Sequence, residues 1–374
     1  MKDNLDDLYV DNIIDNDVND IPQPSGKKDI YNIPTSVPGY IIYRTLVAGK
    51  SGLEKIRTRN KSKPPYEIQI NTYDEKMRLV HYGSSNADIS ISIDDINLFS
   101  GSNKGIIKLF VFILQQFNKK CVVDGKIKDY TVEFTLKSIQ DAGLYSSVQG
   151  ARRGLKNAID VLQSYKLVSE YIKYGSNIES NDDDIDSIVI FTRIRIHDGK
   201  CTVTLNSAAG EDFFIKYFTI LPVYCFSLPI NAFNILYYIF YKARIHSDTI
   251  KNKGSLNINL RELSNFLVLP NEKETKSIKD KTLSPIISSV KDIIDAHNEY
   301  YSGNNNEIDL ELIYPDTEKP KTTEILDDGY LKITLSGRYL ESFKNISERK
   351  TKKIEQSKKR RQKSIEAKSS NSEI

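Results

Sequence analysis

The chain has 374 residues, 39% of them hydrophobic and 28% charged, which is room for two domains of ordinary size plus tails. No apolar run reaches the ~18–20 residues of a membrane span, the N-terminus MKDNLDDLYVDN is acidic where a secretory leader is basic and then apolar, and Cys121, Cys201 and Cys225 are an odd, scattered set that points to neither a disulfide framework nor a zinc site. A cytoplasmic protein is expected. The formal charge of +3 conceals a polarity, with seven Asp against Lys2 in residues 1–24 and ten Lys or Arg against four Glu in residues 345–374, so a modest isoelectric point does not exclude nucleic acid.

In chain order, residues 1–34 lack apolar periodicity and carry Asp, Asn, Pro22, Pro24 and Pro34, so a disordered acidic segment is predicted. Between Pro38 and Ile96, YEIQINTY and ADISISID alternate with the period of half-buried strands, separated by a basic loop. An apolar helix is predicted over Asn103 to Asn118, then a turn at Asp124-Gly125 and a strand around Tyr130 to Phe134. Thr135 is placed to cap a short helix ending at Gly143. In SSVQGARRGLKNAIDVLQSYKLV the apolar positions Val148, Ala151, Leu155, Ala158, Ile159 and Leu162 step by three and four, so one stripe faces a core. Strands follow: LVSEYIKY, then SIVIFTRIRI paired with KCTVTLN across His197-Asp198-Gly199.

The order then returns. An aromatic-rich helix is predicted over Ile230 to Ile245, a strand over Ser255 to Ile258 and a short helix over Leu260 to Leu269. A longer helix runs from Lys273 to His297, with Pro285 starting or kinking its second half. EIDLELIYP and GYLKITL form the closing strand pair. The repetition is visible residue by residue: VEFTLKSIQDAGL (Val132 to Leu144) returns as LNINLRELSNFLV (Leu256 to Val268), a shift of 124 for Leu136, Lys137 and Ile139. FSGSNKGIIKLFVFI (Phe99 to Ile113) is echoed from Phe226 to Phe240 with a shift of 127. Two copies of one supersecondary unit suggest a tandem reader of a repetitive partner.

A helix–strand–helix–helix–strand–strand order is that of a winged helix, a relative of helix-turn-helix whose third helix enters the major groove. That helix needs one apolar face for the core and an outer face of residues that hydrogen-bond bases or hold phosphates. In the first unit Gln149, Arg152, Arg153 and Lys156 meet the demand, preceded by Ser146 and Ser147; in the second, Lys276, Lys279, Lys281, Thr282 and Ser284 do so less cleanly. A single basic face is usually just solvated. Two at equivalent places in a duplicated unit carry the signal.

The run SIKDKTLSPIISSVKDIID resembles the second-domain recognition helix of tandem winged-helix plasmid replication initiators, the iteron-binding Rep proteins: Ile278-Lys279, Leu283-Ser284-Pro285 and Lys291-Asp292-Ile293 stand at the family's places. Ile188 to Tyr238, and Gly39 to Leu98, are similar to the TrfA-type initiators of broad-host-range plasmids, so the likeness covers roughly residues 35–345. The family's second helix is often richer in Arg, where this one carries Lys. The resemblance implies theta-type initiation: monomers bind direct repeats of double-stranded DNA at an origin, help to melt an adjacent AT-rich segment and recruit host initiator, replicative helicase and sliding clamp. It also implies homodimers that repress their own gene.

Enzymatic chemistry finds little support. A rolling-circle nickase needs a His-x-His pair, whereas His81, His197, His246 and His297 are isolated. AGKSG at Ala48 to Gly52 fails as a phosphate loop because Arg44 stands where its first Gly is required. Asp182, Asp183, Asp184 and Asp186 read as a solvated loop tip rather than a Mg²⁺ site, and Asp95 to Phe99 lacks the Gln of a sliding-clamp peptide. The sequence therefore predicts a non-enzymatic α+β protein without cofactor or metal and with no membrane association. Its domains are an acidic disordered segment (1–34), two tandem winged-helix domains (35–216 and 217–346) and a basic disordered tail (347–374). A winged-helix transcriptional regulator and an unrecognised nicking enzyme are the alternatives.

Overall fold

The computed structural model describes residues 30–34, 42–52, 69–73, 76–81, 89–93, 104–123, 126–169, 186–207, 218–301, 307–348, 351–352 and 355. The fold is α+β, helices with small antiparallel sheets. Strand β1 (Ile30–Pro34) is followed by a helix α1 (42–52) and a meander of β2 (Gln69–Tyr73), β3 (Lys76–His81) and β4 (Ile89–Ile93).

The first repeated unit begins at α2 (Lys104–Cys121), whose Leu109 to Leu114 are buried without a break because both halves of the molecule cover it. After a two-residue hairpin pair, β5 (Val122–Val123) and β6 (Lys126–Ile127), comes β7 (Thr131–Thr135). There Val132 and Phe134 point inward while Glu133 and Thr135 point out, the period-two signature of a one-sided strand. The Thr135 hydroxyl accepts from Ser138 N (3.0 Å) and starts α3 (Leu136–Asp141). Ser147 in the same way accepts from Gly150 N (3.0 Å) and starts α4 (Val148–Gln163).

Ala151, Leu155, Ala158 and Leu162 of α4 are fully buried against the core. Its two glycines have a packing reason. A Cβ on Gly154 would lie 2.1 Å from Tyr145 Oη, and one on Gly105 of α2 2.7 Å from the same atom. The tyrosine thus wedges between the two helices where side chains have been given up. The order continues with β8 (Tyr165–Ser169), β9 (Asp186–Val189), β10 (Phe191–His197) and β11 (Lys200–Leu205). Asp198 (φ 47°) and Gly199 (φ 73°) join the last two, the pair of positive φ values that a two-residue hairpin turn requires.

A linking strand β12 (Phe218–Pro222) pairs with β1 and leads through a 3₁₀ turn (Val223–Ser227) into the second unit. Ile30–Pro34, expected to be disordered, is therefore a paired strand; residues 1–29 lie outside the described residues. The second unit runs α5 (Ile230–Ile245), α6 (Ser247–Lys253), β13 (Ser255–Asn259) and α7 (Leu260–Phe266). It continues through a π turn (Lys279–Leu283) into α8 (Ser284–Tyr301), then β14 (Ile308–Ile313), α9 (Thr322–Asp328), β15 (Tyr330–Leu335) and a closing helix α10 (337–348).

Both units close with the same three-stranded antiparallel sheet. The final strand is central, β11 between β10 and β7, and β15 between β14 and β13. They differ in what is inserted. In the first, β8 and β9 leave the unit to join β4 in a five-stranded sheet of order β2-β3-β4-β8-β9. In the second, α9 lies between the last two strands and packs on α7.

One continuous core spans both units. Phe112 of α2 meets Phe134 of its own unit edge-on (5.5 Å) and Phe226 at the entry to the other (5.9 Å). Lys108 Nζ donates to Phe226 O (2.8 Å) and Leu228 O, and burial lowers its pKa. Helix α1, which the sequence did not announce, straps the halves together. Tyr43 stacks on Tyr237 (3.8 Å) and donates to Asn234 Oδ1 (2.7 Å), while Thr45 Oγ1 meets the Tyr165 hydroxyl at the start of β8 (2.5 Å). Arg44 donates to Phe266 O and lies over the Phe266 ring.

Candidate nucleic-acid interface

Helix α4 presents Gln149, Arg152, Arg153 and Lys156 to solvent, with Ser146 and Ser147 exposed just ahead of its first turn. The Ser147 hydroxyl is occupied in capping, and Ser146 is fixed through its carbonyl, which accepts from Gln140 Nε2 (3.0 Å). With the core stripe on one side, a period of 3.6 residues puts Gln149, Arg153 and Lys156 on the opposite side. Arg152 falls on a flank with Val148, four residues earlier. That flank looks toward the hairpin: Cys201 of β11 is pushed up to about 11 by burial, and the Arg152 guanidinium acts on it in the opposite sense. The other flank, with Gly150 and Gly154, is filled by Tyr145.

The hairpin adds exposed cations beside those of α4. Arg193 and Arg195 of β10 are exposed and stand opposite Thr204 and Thr202, on the outer face of the sheet; Lys200 is exposed at the turn, across from His197. The signal was present in FTRIRIH, whose alternation places both arginines on one face. They also sit on an edge strand, where charge discourages pairing with another chain.

In the second unit Lys276, Lys279, Lys281 and Ser284 are exposed. Thr282 is not. It is fully buried and its hydroxyl donates to Pro270 O (2.5 Å), so it ties the chain ahead of α8 to the helix and cannot reach a partner. The reason is the π turn. Pro285 has no N–H for the carbonyl of Lys281, and its ring would crowd that oxygen in a regular helix. The preceding turn widens instead, Ser284 N bonds Lys279 O, and one extra residue shifts the phase of everything before it. Residues 273–277, expected as the start of the long helix, are instead turn, bend and irregular chain. The cationic face here is also less pure: Asp280 is exposed among the lysines and accepts from Ser277 Oγ (2.5 Å).

The two units treat equivalent cations differently. Lys137, at the start of α3, makes one exposed ion pair with Asp141 (2.8 Å). Arg261, its counterpart on α7, is held between Glu272 and Asp327, the latter at 2.8 Å on α9. Burial alone would lower the Arg261 pKa, but the two carboxylates outweigh it and hold the group above its ordinary value. Among the described residues no three His, Cys, Asp or Glu side chains are grouped to hold a metal ion, and no helix is long and apolar enough to cross a membrane. Asp182, Asp183 and Asp184 lie outside the described residues, as do Asp95 to Phe99.

No family model matches the chain, and no curated protein does. Among solved structures it is similar to domains 2–3 of RctB, residues 155–483, at 11% identity over 75% of this chain and 96% of that one, with a TM-score of 0.38. It is also similar to selenomethionine derivatives of domains 2 and 3 of RctB, at 11% identity over 79% of this chain and 99% of that one, with a TM-score of 0.42.

Proposed function

We propose that the chain is a non-enzymatic, sequence-specific reader of double-stranded DNA built from two winged-helix units, and that it serves as a plasmid replication initiator binding direct repeats at an origin. One observation carries this reading: the same helix–strand–helix–helix–strand–strand order occurs twice, closed by the same strand order, with exposed cations on α4 in the first and, in the second, on the segment and π turn that lead into α8. In this reading α4 and α8 enter successive major grooves on one face of the duplex, about one turn or roughly 34–36 Å apart. Arg152, Arg153 and Gln149 read base edges, while Lys156, Lys276, Lys279, Lys281 and the hydroxyls of Ser146 and Ser284 hold phosphates. Binding several tandem repeats concentrates protein beside a duplex segment that host initiator and helicase can open, so the chain contributes binding energy rather than bond chemistry.

The test is a nuclease footprint of the full chain on the DNA flanking its own gene. Direct repeats, each protected over two successive major grooves, are expected. Protection of a single inverted repeat would make it a regulator, and nicking of supercoiled DNA with divalent metal would make it an enzyme.

A further inference from the structure

Val148 is the residue of α4 that neither the core nor the helix explains. It opens the apolar stripe in the sequence, yet its side chain is 39% exposed while Ala151, one turn on, is fully buried. Helix formation does not ask for it, since a β-branched residue is a weaker helix former than Ala, and first turns favour Pro or acidic residues. Single exposed apolar residues are ordinary on protein surfaces. This one stands at the first helical position, immediately after the Ser147 cap and next to exposed Gln149. It shares the hairpin-facing flank with Arg152. The capping bond fixes the backbone there, and a valine in a helix has essentially one rotamer, so its two methyls are presented rigidly.

Resting on the DNA-binding reading above, we propose that Val148 is a specificity-determining residue whose methyl groups contact the C5-methyl of a thymine in the major groove. The groove offers one apolar group among its donors and acceptors, and that group is the thymine methyl. Gln149 suits adenine and Arg152 suits guanine through bidentate hydrogen bonds, so Val148 supplies the third kind of recognition at the same end of the helix. Four residues of helix rise about 6 Å, which places that thymine within about two base pairs of the base read by Arg152, at 3.4 Å per step.

The experiment takes the duplex that the full chain selects most strongly from a random pool and replaces each thymine in turn by deoxyuridine, which removes only the methyl. For the natural protein, one position should lose about fourfold in affinity, the worth of one apolar carbon withdrawn from water. For Val148→Ala, folded by circular dichroism, the same replacement should have no effect, and Val148→Ile should restore the sensitivity. A flat scan with the natural protein, or an equal loss in Val148→Ala, would overturn the role of Val148 while leaving DNA reading in place. A pool that yields no preferred duplex would instead remove the DNA-binding reading itself.

Discussion

The two units are built on one plan and spend their charges differently. The first leaves its cations to solvent: Arg152, Arg153 and Lys156 on α4, Arg193 and Arg195 on the edge strand, and Lys200 at a bare two-residue turn. The second turns part of its charge inward. A helix stands between its last two strands, and that helix supplies Asp327 to hold Arg261. A π turn interrupts the start of α8, and Asp280 dilutes the lysines around it. A duplicated scaffold therefore need not mean duplicated work. Under the proposed DNA-reading function, the difference predicts a reader and a holder, the first discriminating bases through arginine forks and the second gripping phosphates through lysine point charges.

The largest expected effect breaks this comparison directly. Arg152→Ala or Arg153→Ala should cost about 1–3 kcal/mol of specific binding and relax preference at one base position. Lys279→Ala with Lys281→Ala should weaken all sequences alike and reduce the salt slope of log affinity by about 0.9 for each phosphate lost. Filter binding across a salt titration distinguishes the two, and equal loss of specificity from both pairs would erase the division of labour.

Stability sharpens it next. Gly154→Ala must displace Tyr145 and should cost about 1–3 kcal/mol in denaturant unfolding, the range of overpacked cores, whereas α8 carries no glycine. If Tyr145→Ala in the same chain relieves none of that loss, the wedge does not set the helix spacing. Smaller again, Arg261→Ala should cost up to about 1 kcal/mol, since the part-buried guanidinium is shared by two carboxylates that water can otherwise solvate. Lys137→Ala, removing an exposed pair, should change stability by less than ~0.5 kcal/mol. The last contrast, on DNA affinity, concerns Thr282. Thr282→Val should lower stability by about 1 kcal/mol and leave DNA affinity unchanged, since the hydroxyl serves Pro270. A drop in affinity at constant stability would return Thr282 to the interface.

What could be read from the chain beforehand follows from the range of the forces involved. Local rules held well. Thr135 caps α3, Gly143 ends its turn with φ 82°, and the stripe of Ala151, Leu155, Ala158 and Leu162 is buried. The order of elements recurs as the offset of 124 residues predicts. Misplacements arose where a neighbour decides the outcome. Counting along an uninterrupted helix puts Thr282 outward, and Pro285 alters the count. The apolar stripe puts Val148 inward, but the core stops one turn short of it. Helices 42–52 and Thr322–Asp328 and strand Ile30–Pro34 have weak periodicity of their own and exist by packing on partners distant in sequence. At the candidate interface, the cationic face of α4 is legible in the sequence whereas Arg193 and Arg195 of β10 are not, because alternation in a strand marks a face without saying which surface shares it.

The strap formed by helix 42–52 has a consequence for how affinity accumulates. Tyr43 on Tyr237 and Thr45 on Tyr165 join the halves through buried contacts, so the second unit is not a tethered module searching a volume set by a flexible linker. For a ligand that spans both units, the effective concentration of the second unit would be fixed by the joint itself, and rotational freedom surrendered once for both. On the proposed DNA-reading function, any mismatch between the protein's fixed span and the separation of two grooves would be taken up by twisting or bending the DNA, a deformation whose cost depends on base sequence even where no side chain touches.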